Sequence, residues 1–418
     1  MLNPGLFMRC TEREALSAKN PGCRSKRALQ HCVFLALIAV SGWLAFAGMA
    51  SGSEPAKETD ISELRQAVIT NYAAILAATY ADALAGAKKL KSAVDGFVAK
   101  PSESGLDSAR LAWLAARVPY SQSEVARFYD GPIDQLEGKI NSWPIDEIYI
   151  DYVADNPDAG IINSTSTFPV INRELILSLN EKEGKKNIST GFHAIEFLLW
   201  GQDLSATGPG NRSWRDYTDG ARNGKRRREY LHIVTDLLVE HLETVAGAWT
   251  DGQTNNYRSQ FLAMDPEAAL ANILKGMGAL SGPEIAGERL TTPYETKEQE
   301  EEQDCFSDNT CNDLIDDATG LANVYFGRYE SASGIKVEGA GVHDLLMRVN
   351  PSLAAKLAAH VETALAQAKE IPAPFDQAIL GPNTSTGRKA IKKAITAFQA
   401  ESDLVAEAAR VLSIKLNL

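Results

Sequence analysis

The sequence predicts an all-α protein built as two helical bundles packed side by side, and three observations carry that prediction. Apolar residues recur at helical spacing through long, alanine-rich stretches. Glycine and proline gather mainly in the short links between those stretches. Long helices occupy both halves of the 418-residue chain, a length that suits about two domains, while the middle carries an irregular segment and one short, oily helix.

Residues 1–50 read as a secretory signal peptide. Arg9, Arg13, Lys19, Arg24, Lys26 and Arg27 precede the apolar run VFLALIAVSGWLAFAGM, and Ala45/Ala47 or Gly48/Ala50 offer cleavage sites. The leader is long enough for the true start to lie at Met8 or later, and the mature chain is expected to begin near Gly48 or Ser51. An uncleaved anchor is the alternative, although the apolar run is short for a membrane span. No cysteine stands at the end of the run, which argues against a lipoprotein. The expected location is the periplasm or cell envelope.

An N-terminal bundle is expected over 59–250. Periodicity predicts a long helix from Ile61 to Ala99, a second from Ser104 to Arg117 that is interrupted at Pro119, and a third from Gln122 to Glu137. Segment 141–188 is rich in turn formers, with a short strand expected at Glu147–Val153. The stretch GFHAIEFLLWGQD, residues 191–203, then reads as a short buried helix capped by Ser189 or Thr190 and ended by Gly201. A Gly/Pro loop, ATGPGNRSW, leads to a helix over 222–250. The C-terminal bundle, 251–418, is expected to hold helices at 266–290, 306–330, 350–370 and 386–415. TTPYE, SASGIKVEGAG and IPAPFDQAILGPNTSTG separate them, and the acidic run KEQEEEQD reads as a solvated connection.

Loss of residues 1–50 leaves 36 basic against 52 acidic residues, a formal charge of −16. An exported protein this acidic is a poor nucleic-acid binder. Only Cys305 and Cys311 remain, in CFSDNTC, and an oxidising compartment predicts a small disulfide loop between them, with two unpaired thiols as the alternative.

Chemistry concentrates in the short helix. His193, Glu196 and Trp200 share one face, while Phe192, Ile195, Leu198 and Leu199 make the surroundings dry. Two ionisable groups in such a wall need a partner, and a His and a Glu three residues apart could hold one cation together. A plain hydrogen-bonded pair is the competing reading. Two protein ligands are too few for tight binding, so a further carboxylate is expected from another helix, Glu124 first and Asp130 second. Both lie in RVPYSQSEVARFYDGPID with Arg117, Tyr120, Arg127 and Asp134, a stretch that also suits a surface Arg/Glu ladder. Imidazole with carboxylates accepts iron or zinc. The metalloprotease pattern HExxH is absent, as are GxSxG, a P-loop and a dinucleotide fingerprint. His232 and His241 stand among Arg226, Arg227, Arg228, Glu240 and Glu243 and read as a solvated face.

The chain resembles the imelysin-like family, including the iron-regulated protein A group of the bacterial envelope. The signature GxHxxE stands here as Gly191, His193 and Glu196, and WPIDEIYID, MGALSGPEIAGERL, EEQDCFSDNT, NVYFGRY and IPAPFDQAI follow the family in order over nearly the whole mature chain. The resemblance implies two helical bundles with the GxHxxE helix near a cleft between them. It also implies iron uptake, with envelope iron-transport components as partners, and brings a metallopeptidase label that the ligand set supports poorly. Histidines flanking CFSDNT are implied as well, where this chain has Gln303 and Cys311. The expected function is therefore an exported metal-binding protein for iron, not an enzyme. A zinc-dependent metallopeptidase, and a haem- or partner-binding envelope protein with a structural His/Glu pair, are the alternatives.

Overall fold

The computed structural model describes residues 58–416, so the signal peptide expected over 1–50 lies outside the described residues. Helix α1 (Glu58–Ala99) forms because Tyr72, Leu76, Tyr80, Ala83, Ala87, Leu90, Val94 and Phe97 repeat at three- and four-residue spacing, and all of them are buried. Its partners are α2 (Glu103–Ser123) and, beyond the short buried helix α3 (Gly191–Trp200), α4 (Gly224–Trp249). The first two helices approach so closely that a Cβ on Gly86 would stand 3.0 Å from the Cα of Ala116.

A second helical group follows. It comprises α5 (Pro266–Ala279), a wider π-helical continuation over Leu280–Thr291, α6 (Thr310–Phe326), α7 (Val342–Val349), α8 (Pro351–Lys369) and α9 (Thr386–Val411). Helix α9 lies against α8, α5 and the π-helical stretch, while α6 packs on both α8 and α2. Helix α1 also touches α5 and α7, so one continuous core joins the groups. Between α6 and α7 an antiparallel hairpin pairs Arg328–Glu330 with Lys336–Glu338.

Several elements differ from the expectation for local reasons. Helix α2 runs straight through Pro119, because Pro119, Tyr120 and Arg117 are packed on the core side and tertiary contact outweighs the lost N–H. No helix spans 122–137. Instead a turn at Glu124–Ala126 opens into a loop in which Phe128 and Asp130 adopt left-handed φ of 75° and 62°. The Asp134 carboxylate accepts the backbone N–H groups of Phe128 at 2.8 Å and Gly131 at 2.8 Å, replacing the bonds a helix would have made. The strand expected at Glu147–Val153 is a helical turn, Glu147–Ile150, started by the Asp146 carboxylate accepting from Ile148 N at 3.2 Å. The helix expected from 306 starts at Thr310, since the preceding residues form a loop that serves the site below. Neither Ser189 nor Thr190 caps α3 with its side chain: the Ser189 hydroxyl donates to Ile176 O and that of Thr190 to Asn180 Oδ1.

Candidate metal centre

Helix α3 is buried along its whole length, so its polar backbone ends must be met by protein. Trp113 Nε1 donates to Phe192 O at 3.0 Å, Arg110 Nε to Leu199 O at 3.1 Å and Arg212 N to Trp200 O at 2.7 Å. Gly191 starts the helix at φ +88°, where a Cβ would collide with Ile140 O at 2.6 Å. The glycine of GxHxxE is thus a steric requirement of the helix entry.

His193 and Glu196 are 1% and 0% exposed, and His193 Nδ1 lies 2.9 Å from Glu196 Oε2. The other carboxylate oxygen of Glu196 crosses to the loop before α6. There Oε1 accepts from Phe306 N at 3.2 Å, Ser307 N at 2.9 Å and the Ser307 hydroxyl at 2.7 Å. That grip brings in a third group, the fully buried Asp304, whose Oδ1 stands 3.5 Å from His193 Nδ1 outside hydrogen-bonding geometry. His193, Glu196 and Asp304 each offer a ligand atom within 4.8 Å of the others. Two buried atoms there, His193 Nε2 and Asp304 Oδ1, have no hydrogen-bond partner.

Burial, with Arg117 adding to it, pushes the His193 imidazole well below its ordinary value and keeps it neutral. Burial raises Glu196 to about 8 against the opposing pull of Ser307 and Arg117. Asp304 is pushed well up by burial and by the neighbouring charge of Asp313. Without a cation, the centre therefore favours neutral groups. An ion would reverse that preference by supplying the charge that burial denies.

Arginines frame the cluster. Arg117 Nε donates to Asp313 Oδ2 at 2.9 Å, its NH1 pairs closely with Asn141, and its guanidinium lies under Tyr120 and Phe192. Tyr120 is fully buried and supplies wall area, as does Trp200, edge-on to Trp113 at 5.3 Å. Glu124 does not join His193 and Glu196. Its oxygens are taken by Arg289 at 2.8 and 3.0 Å and by Arg127 at 2.8 Å. Burial opposes its charge, but Arg289 and Arg127 outweigh that and hold the carboxyl far below its ordinary range. Asp130 sits exposed in the left-handed turn of the 127–136 loop and also stays apart. The second carboxylate, Asp304, and the loop anchor Ser307 were missed although both lie in EEQDCFSDNT. Nothing in the local pattern ties that segment to a helix 110 residues earlier.

The disulfide expected between Cys305 and Cys311 is not formed; both are free, buried thiols. The loop is closed by other means: Asp304 N donates to Thr310 Oγ1 at 2.9 Å and Asp308 N to Asp304 O at 3.0 Å, besides the Glu196 grip. Burial, reinforced by nearby carboxylates, pushes both thiols up and keeps them protonated.

Comparison with known proteins identifies what the chain is similar to. Residues 76–405 match the family model for imelysin, which carries the label peptidase M75. The chain is 27% identical to iron-regulated protein A of Synechococcus elongatus over 354 residues, covering 81% of this chain and 85% of that one. Its fold is similar to that of a protein assigned as an iron-regulated protein A precursor from Parabacteroides distasonis, with a TM-score of 0.66 and 20% identity over 86% of this chain and 97% of that one. An imelysin-like protein from Psychrobacter arcticum aligns with a TM-score of 0.58 and 13% identity, covering 85% and 98%.

Proposed function

Because the chain belongs to the imelysin family, we propose that it is an exported iron-binding protein of the cell envelope, holding one ion at His193, Glu196 and Asp304 and serving iron acquisition with envelope transport components. The observation that carries this reading is the convergence of one imidazole and two carboxylates in a dry pocket where His193 Nε2 and Asp304 Oδ1 lack partners. A neutral imidazole offers a lone pair, and two carboxylates offer the charge that offsets a divalent ion. Glu196 Oε1 is committed to the loop, so Oε2, which lies 2.9 Å from His193 Nδ1 in the ion-free centre, is the oxygen that would turn to the ion. Iron is preferred to zinc on the name of the Synechococcus relative, and export on the basic and apolar leader.

A peptidase role has less support. The three residues are at most 1% exposed, so a polypeptide substrate has no room beside them, and among the described residues no second histidine joins the cluster to make a zinc-protease ligand set. The plain structural pair has one observation in its favour, the triple grip of Glu196 on the 306–307 loop. Metal analysis and melting curves with Fe(II) or Zn(II) separate the readings. Wild-type protein should bind one ion and melt higher, whereas His193→Ala and Asp304→Asn should lose that shift while remaining helical. An absent shift in the wild type, or a full shift in both variants, would overturn the proposal. Chelator-sensitive peptide cleavage lost in Glu196→Gln would establish the peptidase instead.

A further inference from the structure

A second group of carboxylates differs from the His193 centre in both partners and chemistry. Glu302, Asp308 and Asp376 each present an oxygen within 4.8 Å of the others. Glu302 and Asp308 come from the loop before α6, and Asp376 from the helical turn Phe375–Ala378. Glu302 is 0% exposed, yet neither of its carboxylate oxygens has a hydrogen-bond partner. One Asp308 oxygen is likewise buried and unmatched. Asp376 is buried as well, and its oxygens accept only from its neighbour Gln377, at 2.6 Å from the backbone N and 2.6 Å from Nε2.

No lysine, arginine or histidine pairs with any of the three among the described residues. Asp313, Asp317 and Glu124 nearby each have an arginine. A buried acid without an arginine must hold a proton or meet a cation, and here three such acids converge on one spot. Access is available on one side. Asp376 lines a cleft of about 390 Å³ together with Glu147, Asp203, Gln299 and Glu300. The one cationic side chain lining it, Lys297, donates to Gly381 O at 3.0 Å.

We propose that Glu302, Asp308 and Asp376 form a second cation site, made of oxygen ligands alone and selective for a hard divalent ion of the Ca²⁺ class. Three carboxylates can present up to about six oxygens without strict geometry, which suits Ca²⁺ better than Mg²⁺ with its rigid octahedron. Ions that favour imidazole are directed to His193 instead, because this group contains no nitrogen ligand. The site does not depend on the reading of the His193 centre.

Calorimetric titration of metal-free mature protein with CaCl₂ tests it, beside melting curves in the same buffer. Wild type and His193→Ala should both bind one Ca²⁺, and Asp376→Asn and Asp308→Asn should each weaken binding by about tenfold or more. Where Asp376→Asn fails to fold by circular dichroism, the half-buried Asp308→Asn decides alone. No heat or melting shift up to about 10 mM Ca²⁺ would overturn the proposal. So would undiminished binding in the folded aspartate variants, or loss of binding in His193→Ala with the aspartate variants intact. Failure of the iron proposal would show as wild-type indifference to Fe(II), a result that leaves the Ca²⁺ titration unaffected.

Discussion

Replacing Glu196 separates its two roles, anchor of the loop and ligand. In Glu196→Ala the N–H groups of Phe306 and Ser307 lose a buried acceptor, and the Ser307 hydroxyl loses a third bond to the same oxygen. Each stranded buried donor costs about 1–3 kcal/mol, and the hydroxyl can rotate to relieve part of its share. The expected loss is about 4 kcal/mol, including a small cavity term. Glu196→Gln keeps an amide oxygen for the loop. Its NH₂ can also donate toward His193 Nδ1, as the protonated carboxyl does in a residue whose pKa is pushed to about 8. Near pH 4.5 its cost should stay near or below about 1 kcal/mol, and as pH rises toward 8 the variant should gain on wild type, which must keep a proton to fold. Urea unfolding in chelator-containing buffer measures both, and the metal-dependent melting shift then reports the ligand role. The reasoning fails if Glu196→Ala costs less than about 1 kcal/mol, or if the glutamine variant falls as far as the alanine.

Three further predictions concern pH and packing. Glu196 holds a proton below about pH 8 in the ion-free protein and burial raises Asp304 as well, so metal affinity should fall by at least about tenfold per pH unit from 8 to 6; a flat profile in competition with a chromogenic chelator would show that no proton is displaced. Glu401 is buried on α9 with one oxygen unpartnered, and burial raises it from 4.5 to about 8 against the opposing Ser281. The folded chain therefore keeps a proton that the unfolded chain has released, and stability drops as pH rises through that window, with the loss complete above it. Glu401→Gln should match wild type near pH 4.5 and exceed it by roughly 3 kcal/mol at pH 7; equal denaturation midpoints at both pH values would contradict this. Gly191→Ala, forced onto Ile140 O at 2.6 Å with φ +88°, should lose at least about 2 kcal/mol and the metal-dependent shift with it. A variant melting within about 1 °C of wild type would show that the helix entry tolerates a side chain.

Much of the fold is legible in the sequence, because helical periodicity is a local property of consecutive residues. The repeat from Tyr72 to Phe97 announces α1, Gly201 ends α3, and His193 and Glu196 share a face by spacing alone. Helix ends and loops were less legible. Pro119 sits inside α2 because the core holds it there, and the Asp134 carboxylate ties a loop where periodicity suggested a helix.

The site divides along the same line. By itself the sequence determined that a histidine and a glutamate stand together in a dry helix, and it led to the expectation of a third group from elsewhere. Only the tertiary structure decided which group stands beside them. Glu124 and Asp304 are both acids in motifs of similar weight, and no local pattern ranks them. The ranking comes from distant partners: Arg289 and Arg127 neutralise Glu124, while Glu196 draws in the 306–307 loop and sets Asp304 beside His193 with one oxygen unmatched. Pairings across more than a hundred residues depend on how helices pack, and it is packing that determines which buried acids find an arginine and which do not.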